Sequence, residues 1–110
     1  MTTPNPQRGD VALTVNGQVL VLRLTLGALA ALEARLQSQS LIDLAEHFES
    51  GRVSAADLLA LLAAGLEGAG TSMTEQELAD AEIEGGAVAA MKAGIALLSA
   101  AFGTGTSDAS

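Results

Sequence analysis

No cysteine, tryptophan or tyrosine occurs in this chain of 110 residues, and phenylalanine occurs only as Phe48 and Phe102. Without cysteine there are no disulfides, no thiol nucleophile and no thiolate-bound zinc, a usage compatible with a reducing compartment. Without large aromatics the core must be assembled from Leu, Ala and Val. Ala-rich helices bury little area each, at about 25 cal/mol per Å², so the composition predicts modest stability and some apolar surface left for a partner. Basic residues are scarce too: Arg8, Arg23, Arg35, Arg52 and Lys92 stand against 13 acids, for a net charge of −8. No basic face can form to neutralise phosphates, which argues against nucleic acid and against an anionic membrane surface. The balance favours a basic or an apolar partner. Long hydrophobic runs are missing as well. The most apolar segment, residues 87–102, carries Lys92 in its middle and falls short of the about 20 residues needed to cross a bilayer. The opening MTTPNPQRGD has no apolar stretch of the kind a signal peptide carries, so none is expected.

What remains suits one domain. Residues 10–25, DVALTVNGQVLVLRLT, read as two strands joined by Asn16-Gly17, the dipeptide that best supplies the two positive φ angles of a type I′ turn. Folding there sets Val15 opposite Gln18, Leu13 opposite Leu20 and Val11 opposite Leu22. One face then carries Val11, Leu13, Val15, Leu20, Leu22 and Leu24, and the other Ala12, Thr14, Val19, Val21 and Arg23. An isolated hairpin is marginal in water, so helices must cover the Leu/Val face.

The pattern downstream supplies about five. Thr25 caps a helix over 26–37 with Leu26, Leu29, Leu32 and Leu36 on one face; Gly27 in its first turn would be explained by close approach to the hairpin. After a break at Ser38-Gln39-Ser40, Ser40 and Asp43 open a second helix with Leu41, Leu44, Ala45 and Phe48 inward, closed by Gly51. Ser54 and Asp57 open a third over 55–67, apolar on most of its circumference and therefore the expected central helix, and the run from Gly65 to Gly70 is read as its stop. Thr74 and Glu77 form a capping box for a fourth over 75–84 with Leu78, Ala81 and Ile83 inward. Gly85-Gly86 interrupts. A fifth, over 87–102, sets Val88, Met91, Ile95, Leu98 and Phe102 at three- and four-residue spacings. The expectation is an α+β fold, mostly helical, in a single domain over 10–102, with a flexible lead at 1–9 and a disordered tail at 103–110.

No constellation among these residues points to catalysis. His47, the only histidine, has Glu46 and Glu49 beside it but no third ligand at a diagnostic spacing, and reads as an exposed helical histidine. The carboxylate pairs Glu46/Glu49 and Asp80/Glu84 fall on solvent faces rather than in a cleft. Gly65-x-x-Gly68-x-Gly70 follows a helix, lacks the Lys-Ser/Thr ending of a phosphate loop and holds Glu67, which would repel a phosphate. No enzyme activity, metal or cofactor is expected. Two features suit protein contacts instead. Glu75, Glu77, Asp80, Glu82 and Glu84 form an acidic bank that could dock a basic partner or simply keep the chain in solution. The Met91, Ile95 and Leu98 stripe is core unless the other elements already close it, in which case the last helix could swing on Gly85-Gly86 or accept a partner helix.

The ordered features resemble a known family. Asn5-Pro6-x-Arg8-Gly9-Asp10-Val11, the hairpin, Leu26-Gly27-Ala28-Leu29 leading into Leu32-Glu33, and Ala64-Gly65-Leu66-x-Gly68-Ala69-Gly70 are similar to short proteins of the tail-gene clusters of gene transfer agents and siphophage-like prophages. The likeness spans roughly residues 5–100 and rests on order and spacing. The chain departs from the family pattern at Asp10, where Glu is usual, at Leu26, where an aromatic is common, and at Glu67, where a base is common. The family is grouped with tail assembly chaperones, although some members are called tail tube proteins. The resemblance implies a non-catalytic chaperone, working in the cytoplasm of the bacterial host, that binds the tape measure protein and helps recruit tail tube subunits, with homo-oligomers left open. The alternative is a structural tail tube or tube-terminating component.

Overall fold

A computed structural model describes residues 10–36 and 40–102. The expected lead at 1–9, the tail at 103–110 and the break at Ser38-Gln39 lie outside the described residues. Strands β1 (Val11–Val15) and β2 (Gln18–Leu22) pair antiparallel in the register read from the turn, with Val11 opposite Leu22, Leu13 opposite Leu20 and Val15 opposite Gln18. Asn16 and Gly17 hold φ of 53° and 81°, the two left-handed angles of the I′ turn. Leu13, Val15 and Leu22 are buried, while Val11, Leu20 and Leu24 pack at the margin of the core.

Five helices follow: α1 (Leu26–Leu36), α2 (Leu41–Ser50), α3 (Ala55–Gly68), α4 (Glu75–Asp80) and α5 (Gly86–Ala101). The starts of the first four are those that the capping residues mark, while α5 follows Gly85 without a side-chain cap. Thr25 Oγ1 accepts from the Ala28 N–H at 3.1 Å, Ser40 and Asp43 form a reciprocal capping box, Ser54 Oγ accepts from the Asp57 N–H at 3.1 Å, and Thr74 and Glu77 form a second box. Each such cap satisfies a backbone donor that the first helical turn leaves free. Gly51, at φ 75°, closes α2 in the left-handed conformation. Helix α3 is central, as its composition predicts: every residue from Ala60 to Leu66 is buried, and α1, α4, α5 and β2 all pack on it.

The structure corrects four expectations. First, Leu26 is 85% exposed, and α1 instead buries Ala28, Leu32 and Leu36. At 100° per residue Leu26 lies about 120° around the helix from Leu32, off the arc that faces α3. Second, Gly27 approaches nothing on the hairpin, since a Cβ there would find only Thr25 Oγ1 within 4 Å, at 3.9 Å. The close approach lies on α3, which ends at Gly68, one residue beyond the expected end at 67 and within the Gly65–Gly70 run read as its stop. A Cβ on Gly65 would sit 2.9 Å from Leu97 Cδ1 and 3.1 Å from Leu22 Cβ, and one on Gly68 would meet the Arg23 carbonyl oxygen. This intimacy lets the Arg23 N–H reach the Gly65 carbonyl at 2.8 Å.

Third, α4 ends at Asp80, and residues 82–84 run along the free side of β1. The Asn16 N–H donates to the Glu82 carbonyl at 2.7 Å, the Glu84 N–H donates to the Thr14 carbonyl at 3.0 Å, and Ile83 bridges Val15 antiparallel. Asn16 adds its side chain, whose Oδ1 accepts from the Glu82 N–H at 2.9 Å. Helical continuation would leave β1's outward groups without these partners. Fourth, α5 turns a different face inward. Ala90, Ala93, Gly94, Leu97 and Leu98 are buried, whereas Val88, Ile95 and Phe102 are 64%, 43% and 41% exposed. The small residues let the helix approach closely: a Cβ on Gly94 would stand 2.7 Å from Phe48 Cε2. Packed against α2, α3 and β1, α5 is part of the core rather than surplus to it.

Candidate functional site

The acidic segment 75–84 does not form one bank. Glu75 is ion-paired with Arg35 at 2.7 Å, so the acids are not without a base. Glu77 is engaged in its capping box, its Oε1 accepting from the Thr74 N–H at 2.8 Å. Asp80 accepts from Gln76 Nε2 at 3.1 Å. Glu82 and Glu84 lie beyond the helix, where their backbones pair with the hairpin. The Arg35–Glu75 pair borders an open depression of about 430 Å³, also lined by Glu67, Ser72, Thr74 and Gln76. With both side chains substantially solvated, that pair contributes little to stability.

The second predicted site divides in the same way. Leu98 is buried and Met91 is half-buried against the core, while Ile95 faces out. Ile95 lines an apolar groove of about 160 Å³ between α2 and α5, together with Ala45, Phe48, Leu98, Ser99 and Phe102, with Glu49 on its rim. On α2, Ile42 is also 65% exposed. On one helical stripe with Met91, Ile95 and Leu98, the sequence pattern set Val88 and Phe102. The signal that marks them as surface is the seven-residue spacing of Val88, Ile95 and Phe102, which leaves the arc occupied by Ala90, Ala93, Gly94 and Leu97 for packing.

One buried charge anchors the hairpin. Asp10 is buried and accepts from Arg23 Nε at 2.6 Å. That hydrogen bond raises the guanidinium pKa above its ordinary value. The pair joins the residue just before β1 to the one just after β2. His47 lies half-buried on α2, and among the described residues no group of three or more His, Asp or Glu side chains is placed to hold a metal ion. No helix among the described residues is long and apolar enough to cross a membrane.

The described residues thus form a hairpin-and-helices domain whose outward features are an apolar groove, a dispersed set of carboxylates and a short sheet. A model of the family described as phage tail tube protein, GTA-gp10, matches residues 8–104. The chain belongs to that family, and it is therefore a tail-related protein of the phage and gene-transfer-agent type. No curated protein and no solved structure matches the chain. The family's description agrees with the structural alternative, a tail tube component, better than with the assembly chaperone that the resemblance placed first.

Proposed function

We propose that the protein is a non-enzymatic structural component of the tail tube, or of its end, in a phage-like particle. The observation that carries this reading is the tail tube family match over nearly the whole chain, residues 8–104. Its partners are then neighbouring tail proteins, met through surfaces rather than a pocket. The groove lined by Ile95 and Phe102 is the apolar surface best suited to such a contact. Glu49 is the carboxylate at this groove, and Leu98 forms part of its wall.

A specific feature of the fold favours the second reading, an assembly chaperone that binds the tape measure protein and helps recruit tube subunits. A continuous tube wall built from sheet needs several long strands, and the described residues offer two strands of five residues and one bridge. The two readings separate by stoichiometry. Quantitative mass spectrometry of purified mature particles counts this chain against the other tail subunits. Many copies per tail establish the structural role. A chain abundant in assembling cells and missing from finished particles overturns it in favour of the chaperone.

A further inference from the structure

The sheet ends on an edge that no described residue covers with a hydrogen bond between its turn and Arg23. Thr14 and Asn16 direct their backbone groups away from β2, toward residues 82–84. In the antiparallel ladder, Thr14 is opposite Val19 and Ala12 is opposite Val21. These are accordingly pairs that do not hydrogen-bond to each other, and the N–H and C=O of Val19 and Val21 point outward from β2. No hydrogen bond to them arises from the described residues outside the hairpin. The next outward N–H along this edge, that of Arg23, is taken by the Gly65 carbonyl at 2.8 Å, so α3 closes the lane at that end. The open stretch is therefore short and defined. Val19, at its centre, is 65% exposed.

Native proteins commonly blunt such an edge with lysine, proline or a bulge. β2 reads QVLVL and carries none of these. It also lies in a charge-free segment, since residues 11–22 contain no ionisable side chain in a chain of net charge −8. Of the carboxylates beside the hairpin, Asp10 is buried and paired with Arg23, and Glu82 and Glu84 lie on the far side of β1. Two equally acidic copies can meet along β2 without opposing carboxylates across the contact.

We infer that the free edge of β2 is a self-association site, at which two copies of the chain pair antiparallel about a two-fold axis near Val19. Each Val19 then exchanges its outward N–H and C=O with the Val19 of the other copy, and the two hairpins form one four-stranded sheet. Because α3 blocks the lane at Arg23, a register centred on Val19 fits, with Val21 beside the other copy's turn. An isologous contact of this kind uses up both edges and closes at two copies. The inference does not rest on whether the protein stays in the tube.

The test is sedimentation of the full chain over a concentration series, combined with amide exchange. The wild-type mass is expected to double from 11.0 kDa as concentration rises, while exchange at Val19 slows with it. Val19→Pro removes an N–H that makes no bond inside the hairpin, and Val19→Lys sets a charge on the edge. Both are expected to abolish the dimer with a helical circular dichroism spectrum like that of the wild type. Val19→Thr keeps the N–H and the strand propensity, and is expected to keep the dimer. A wild-type monomer throughout the series overturns the inference. So do growth beyond two copies, a dimer that survives both disruptive variants, and a dimer lost in Ile95→Glu, which would move the contact to the α2–α5 groove.

Discussion

Gly27 and Gly68 both lie in helices, and the same substitution at each should change stability in opposite directions. Replacing a helical glycine by alanine ordinarily stabilises by about 0.5–1 kcal/mol, because glycine loses more backbone freedom on folding. At Gly27 nothing opposes that gain, since the new methyl finds only Thr25 Oγ1 near 3.9 Å. Gly27→Ala is expected to raise Tm by about 2–8 °C, taking about 4–8 °C per kcal/mol for a domain of this size. At Gly68 the methyl points at the Arg23 carbonyl oxygen. That atom belongs to backbone, held by the Arg23–Gly65 hydrogen bond of 2.8 Å, and cannot rotate aside as a side chain would. Overpacking against rigid backbone falls at the upper end of the usual range, about 2–3 kcal/mol, and subtracting a propensity gain of about 0.5–1 kcal/mol leaves a loss of about 1–2.5 kcal/mol. Gly68→Ala should therefore lower Tm by about 4–20 °C. Thermal melts followed at 222 nm, with urea titrations of both variants, read the two signs. A Gly68→Ala protein at least as stable as wild type would refute the close packing of α3 on β2.

Three further outcomes test the remaining assignments. Leu97→Ala should cost about 2–5 kcal/mol as a cavity in the core, whereas Ile95→Ala should stay within about 0.5 kcal/mol as a surface change; urea denaturation showing comparable losses would return Ile95 to the core. Asn16→Ala removes the acceptor for the Glu82 N–H and places alanine at φ 53°, so a loss of about 1–3 kcal/mol is expected. Hydrogen exchange should accelerate at Glu82 and Glu84 in that variant, and unchanged protection there would show that residues 82–84 are held without Asn16. Gly17→Val forces a β-branched residue to φ 81° and should destabilise the hairpin. A Gly17→Val protein with the wild-type melting temperature would contradict the I′ turn.

Of the candidate site, the sequence made legible the kinds of residue and not their arrangement. Glu75–Glu84 looked like one face because a helical period was assumed across ten residues, and the free side of β1 drew 82–84 out of it. Ile95 belonged to the predicted stripe and faces solvent; Leu98 belonged to the same stripe and is buried. The tail family was legible from ordered Gly and Leu spacings, and the family match supports it, but those spacings did not distinguish a tube component from a chaperone.

The chain by itself determined the hairpin, its register and the starts of the first four helices. Those features follow from chemistry within a few residues: two positive φ angles at Asn16-Gly17, a side-chain period of two, and caps satisfied three residues on. Only the tertiary structure decided which arc of α1 and α5 faces inward, where α4 stops, and what Gly65 and Gly68 do. Each of those outcomes depends on a surface brought from far along the chain. Ala and Gly can serve as the packing face of a helix only when a neighbour comes close enough to use it. An extended segment such as 82–84 prefers the sheet over the helix only when an open strand edge lies beside it.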